Sequence, residues 1–107
     1  MGLTIHAFQP FRDNPTVSLS CTATIARTTL SSVGNLQSCE VMLYNAGPSD
    51  VFIEIGDATT TATLSGSFII AAGLNVILDS PGNANYMSGI CRSGESTTLY
   101  ASRGRGN

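Results

Sequence analysis

His6 is the one histidine in the chain, so any Ser-His-Asp or Cys-His device would have to use it as its base. It sits in Leu3-Thr4-Ile5-His6-Ala7, out of phase with Leu3, Ile5 and Ala7 and close to a terminus. Termini seldom build active sites, and an exposed strand residue is expected there. Cys21, Cys39 and Cys91 could join His6 in a Cys₃His zinc site. Structural zinc takes its ligands in close pairs such as Cys-x₂-Cys, and no such pair occurs. The cysteine count is odd. Cys21 falls in phase with Val17, Leu19, Ala23 and Ile25, which predicts a buried thiol acting as a small hydrophobe. Whether any two of the three bridge stays open.

The seven carboxylates are Asp13, Glu40, Asp50, Glu54, Asp57, Asp79 and Glu95. Most fall at turns, where an Asp side chain accepts hydrogen bonds from nearby amides. Glu54 is mid-strand and should face solvent. A glycosidase aims two carboxylates at one bond, and a strand pairing would have to bring Glu40 beside Glu54. Asp50 with Asp57 would need several more oxygens to hold calcium. No G-x-x-x-x-G-K-[ST] or G-x-G-x-x-G loop is present to cradle a phosphate. The basic cluster Arg103-Gly104-Arg105-Gly106 suits a protein contact or a frayed end better than nucleic acid, because positive charge is scarce elsewhere. No catalytic residue, cofactor or metal site is expected.

Composition points the same way. Only 11 % of the 107 residues are charged, against about 25 % in ordinary soluble domains, and there is no lysine. Ser and Thr take the place of charge, as in Val17-Ser18-Leu19-Ser20-Cys21-Thr22. A net charge of -2 gives weak self-repulsion and leaves strand edges poorly guarded. Charge-poor surfaces are typical of permanent interfaces, so a homo-oligomer or a component of a larger assembly is expected. No basic segment precedes an apolar one at the N-terminus, so no signal peptide is expected, and no apolar run approaches the ~18 residues of a membrane helix.

The elements that must position these residues are strands. Val41, Leu43 and Asn45 alternate with Met42 and Tyr44; Val51, Ile53 and Ile55 alternate with Phe52 and Glu54. Period-two runs closed by Gly, Pro, Asn or Asp describe an antiparallel all-β domain. Strands are expected at Leu3–Phe8, Val17–Ala26, Glu40–Asn45, Val51–Ile55, Phe68–Ile70, Leu74–Leu78, Tyr86–Arg92 and Thr97–Ser102, with a short one near Ala62–Leu64. The turn after Asn45 predicts a hairpin between the third and fourth. Asp79-Ser80-Pro81-Gly82-Asn83 carries the strongest turn signal. Eight to nine short strands in one domain over residues 1–107 predict a β-sandwich, jelly-roll-like, since a Trp between paired cysteines is missing for the immunoglobulin alternative. An N-terminal arm over 1–16 and a C-terminal tail over 102–107 would flank it.

The words Val41-x-Leu43-x-Asn45-x-Gly47-Pro48, Val51-Phe52-Ile53-x-Ile55-Gly56, Ile70-Ala71-Ala72-Gly73, Tyr86-Met87-Ser88-Gly89-Ile90 and Thr97-Thr98-Leu99-Tyr100-x-Ser102-Arg103-Gly104 resemble small virion proteins of tailed bacteriophages. Ala71 stands where that pattern has Pro. The resemblance implies a head decoration, or cement, protein whose partner is the major capsid protein, on the exterior of a virion assembled in the host cytoplasm. Neck, tail or receptor-contacting stations and a sugar-binding sandwich are the alternatives. Contacts with neither nucleic acid nor membrane are expected. Partner contacts are expected from the arm and the tail, at Phe8, Pro10, Phe11, Arg12, Arg103 and Arg105, with the loops Asp57–Thr61 and Ser80–Asn85 next.

Overall fold

The computed structural model describes residues 9–10, 16–30, 38–81 and 84–105. Nine strands follow one another: β1 (Gln9–Pro10), β2 (Val17–Cys21), β3 (Ala26–Thr29), β4 (Ser38–Pro48), β5 (Val51–Gly56), β6 (Phe68–Ile70), β7 (Asn75–Pro81), β8 (Tyr86–Ile90) and β9 (Thr97–Arg105). Every pairing is antiparallel. In sheet A, β1 and β2 lie end to end along one side of β9, followed by β4 and β7. In sheet B the order is β3-β8-β5-β6. Successive strands mostly alternate between the sheets, which is the jelly-roll form of the sandwich expected from the sequence.

The inward faces carry the alternation seen in the sequence. Val41, Leu43 and Asn45 on β4 are buried, as are Leu19 and Cys21 on β2 and Leu99 and Ala101 on β9. Val51 and Ile53 on β5, Ile70 on β6 and Met87 on β8 close the core from the other side. Val76 and Leu78 on β7 pack against its margin. Gly89 lets β8 approach β2: a Cβ there would lie 2.7 Å from Cys21 Sγ and 3.3 Å from Leu19 Cδ2.

Asn45 is a polar member of this core. Its Nδ2 donates to the carbonyls of Ser49 and Ile70, both at 2.8 Å, and its Oδ1 accepts from Gly47 N–H at 2.9 Å. The Thr97 hydroxyl donates to the same oxygen. A fully satisfied amide thus ties β4, β6, β9 and the turn after β4 together, and burial without that satisfaction would be costly.

Several boundaries differ from the sequence reading. β4 and β5 form no hairpin: the chain crosses from sheet A to sheet B at Ser49–Asp50, so each strand buries its apolar face from its own side. The run from Val17 to Ala26 is likewise two strands. Thr24 N–H donates to Thr22 Oγ1 at 3.1 Å, the chain bends, and Ile25 is left exposed. Residues 62–64 form no strand, and Ala62 is instead buried in a loop. β7 runs through the expected turn to Pro81, which pairs with Ser38 on the outermost strand of the sheet, where proline is tolerated. Residues 102–105 are strand and not tail. The expected strand at Leu3–Phe8 and most of the arm lie outside the described residues.

Candidate interaction face

The two outer faces of the sandwich are treated differently by the chain. Over sheet B, the segment between β5 and β6 folds back across the strands. Arg27 on β3 holds it, with Nε donating to Thr60 O at 2.7 Å and Nη2 to Thr61 Oγ1 at 3.2 Å. Ala62 N–H donates to the buried Ser88 Oγ on β8 at 2.9 Å. Ser67 Oγ donates to Glu54 Oε1 at 3.1 Å. Asp57 starts the loop by accepting from Thr59 N–H at 2.9 Å and Thr59 Oγ1 at 2.7 Å, and these bonds hold its carboxyl below the usual range. Phe52, beside this cover, is buried, with the Arg92 guanidinium 5.0 Å above its ring. Arg92 also pairs with Asp50 at 3.3 Å.

Sheet A has no such cover among the described residues. The register sets its outward positions in rows: Ser18, Tyr100, Tyr44 and Asn75; then Ser102, Met42 and Ile77; then Glu40 and Asp79. Tyr44 and Tyr100 are 42 % and 41 % exposed, with ring centroids 6.5 Å apart and planes 19° from parallel. Ile77 is exposed beside half-buried Met42, and Leu74, 55 % exposed, stands just before β7. An aromatic and aliphatic strip thus crosses three strands, edged by hydroxyls on one side and carboxylates at one end. Large apolar side chains gathered on an outer sheet face are the usual mark of a docking surface.

The residues singled out for chemistry do not converge. Glu40 belongs to sheet A and Glu54 to sheet B, so no carboxylate pair straddles a common space. Asp50 and Asp57 flank the six residues of β5, roughly 20 Å of strand. Cys21 and Cys91 do meet: Cys91 Sγ donates to Cys21 O at 3.6 Å, and Cys91 N–H donates to Thr22 O at 2.8 Å. Burial, then the neighbouring Cys91, pushes the Cys21 thiol up to about 12. Burial raises Cys91 also, helped by Glu95 and Asp50. All three cysteines are free thiols. Thiols so reluctant to ionise are poor nucleophiles. Among the described residues, no group of three His, Cys, Asp or Glu side chains is placed to hold a metal ion. Nor, among those residues, is any helix long and apolar enough to cross a membrane.

The expected partner contacts fare unevenly. Phe8, Phe11 and Arg12 lie outside the described residues. Pro10 pairs with Gly104, and Arg105 with Gln9. Arg103 is a correction. It is 2 % exposed, and its guanidinium donates to Asn85 Oδ1 and Ala84 O, both at 2.8 Å, so it braces the chain before β8 instead of reaching outward. The strip on sheet A was missed. Its signal was present in Val41-Met42-Leu43-Tyr44, Val76-Ile77-Leu78 and Leu99-Tyr100, where large apolar residues occupy both phases of a strand.

No protein-family model matches the chain, and no curated protein does. Among solved structures, one described by the words "Bacillus endospore appendages form a novel family of disulfide-linked pili" is similar over 100 % of this chain and 97 % of that one, at 14 % identity and a TM-score of 0.48. A likeness at that level assigns neither function nor partner.

Proposed function

We propose that this chain is a non-enzymatic structural protein that docks through the outer face of sheet A. Its proposed station is the exterior of a tailed-phage head, as a decoration protein bound to the lattice of the major capsid protein. The observation that carries the docking reading is the strip on sheet A: Tyr44, Tyr100 and Ile77 stand exposed on neighbouring strands beside half-buried Met42, whereas the loop between β5 and β6 covers part of sheet B and leaves Ile69 at its edge exposed. The resemblance of residues 40–104 to small virion proteins supports the station. A ligand that binds only the assembled shell stabilises it by mass action, which is what a decoration protein supplies against internal DNA pressure. Charge-poor strands suit such lasting contact.

Imaging of intact particles tests this. The expected result is density of about 48 × 31 × 24 Å on the outer shell, with sheet A turned toward it. The same density at the neck or tail, or sheet A facing solvent, would overturn the station or the docking face respectively. A second reading draws on the paired tyrosines flanked by Ser18, Asn75 and Ser102, since sugars stack on exposed aromatic rings. A glycan array with wild type and Tyr44→Ser/Tyr100→Ser would decide it.

A further inference from the structure

We infer that the partner surface meeting sheet A is a protein surface that carries a lysine or arginine about 7 Å from an apolar side chain; this rests on the reading of sheet A as the docking face. Glu40 and Asp79 are register partners on neighbouring strands. Asn45 N–H donates to Leu74 O at 3.0 Å, and alternation from that bond makes 41 with 78 a hydrogen-bonded pair and Glu40 with Asp79 a narrow one. Val41 is buried and Leu78 packs on the core, so both carboxylates project outward. Like charges directly opposite each other destabilise a sheet. Among the described residues the ion pairs are those of Arg92, with Asp50 and Glu95, so neither Glu40 nor Asp79 is neutralised there.

A local conflict of this kind is relieved by a cation from outside. The carboxylates lie one outward position along the strands from Met42 and Ile77, and two from Tyr44 and Asn75. That sets the carboxylate-to-apolar spacing at roughly 7 Å. A partner strand with a basic residue two positions from an apolar one matches it. In a second copy of this chain three of the five arginines are already engaged: Arg27 is tied to the loop over sheet B, Arg92 to Asp50 and Phe52, and Arg103 is buried.

The full chain, isotope-labelled, can be titrated with a soluble hairpin peptide whose outer face alternates valine and lysine, and with its valine–glutamate counterpart. The lysine peptide should shift the resonances of Glu40, Met42, Tyr44, Ile77, Asp79 and Tyr100. It should bind about tenfold or more tighter than the glutamate peptide, and raising the salt from about 0.05 to about 0.5 M should erase most of that difference. Glu40→Gln/Asp79→Asn should lose the preference while melting no lower than the parent, because the substitution removes a repulsion. A double variant that still prefers the lysine peptide overturns the inference, as do shifts confined to sheet B. Self-association through these residues without peptide, or their saturation by calcium alone, overturns it too. Particle binding separates the two readings. If Tyr44→Ser/Tyr100→Ser abolishes it and Glu40→Gln/Asp79→Asn does not, the docking face stands and the basic partner falls.

Discussion

Asn45 shows how much one side chain holds here. Replacing it by Ala leaves two carbonyls, an amide and a hydroxyl without their partner inside the sandwich. Each buried orphan costs about 1–3 kcal/mol, some of it recoverable by water, so a loss of about 3–5 kcal/mol in chemical denaturation is expected for Asn45→Ala. Gly89→Ala tests packing. Its new methyl meets Cys21 Sγ and Leu19, which should cost about 1–3 kcal/mol. Pairing it with Cys21→Ala should restore part of that loss, whereas additive losses would show that backbone and not thiol is the obstacle. The thiol also sets an alkaline limit. Its value rises from 9.0 to about 12 on folding, so the folded chain holds this proton more tightly than the unfolded one. The stability this contributes is complete below pH 9.0 and declines as pH rises toward about 12. Urea midpoints compared at about pH 8 and about pH 11 should fall more for the parent chain than for Cys21→Ala.

At the level of elements, the loop between β5 and β6 does what a neighbouring molecule does elsewhere: it covers a sheet face. Its attachments are few, with Arg27 at one end and Ser88 in the middle. Such a flap should open without global unfolding. Arg27→Ala or Ser88→Ala should speed amide exchange at Ala62 well before exchange at Val41 or Leu43 changes. Equal acceleration everywhere would mean that the loop is integral to the core. The strip on sheet A has no comparable cover, and its four chief members come from three strands. No one strand could have built it. Gly94, at φ +78°, closes the turn between β8 and β9 and so helps set the register that places Tyr100 beside Tyr44.

For the whole molecule, the low charge and the open strand edge act together. A net charge of -2 supplies little repulsion between copies, and the seven-residue β7 is an outermost strand of sheet A. Sedimentation at micromolar concentration is expected to show no dominant monomer. Tyr44→Ser/Tyr100→Ser should leave that distribution in place, because sheet A is read as meeting a foreign surface, with melting essentially unchanged because both rings are already substantially exposed. A shift toward monomer would mean that the strip joins copies of this chain. A parent chain that sediments cleanly as a monomer would confine its contacts to a foreign lattice.

The sequence by itself determined that the chain is built of antiparallel strands, and which phase of most of them turns inward. Alternation at Val41, Leu43 and Asn45, or at Val51 and Ile53, is a local property that any burial of one face demands. It also broke the chain between Arg92 and Thr97, where Gly94 closes the turn. Tertiary structure alone decided which sheet each strand joins. An alternating pattern reads the same on either side of a sandwich, so Val17 to Ala26 hid a crossing and β4 and β5 passed for a hairpin. The docking strip was decided there too. Tyr44, Tyr100 and Ile77 lie far apart in the chain, and only the pairing of β4 with β9 and β7 puts them side by side. Arg103 was misplaced for the opposite reason: charge argued for the surface, but its hydrogen bonds to Asn85 and Ala84 make burial tolerable, and neither partner is adjacent in sequence.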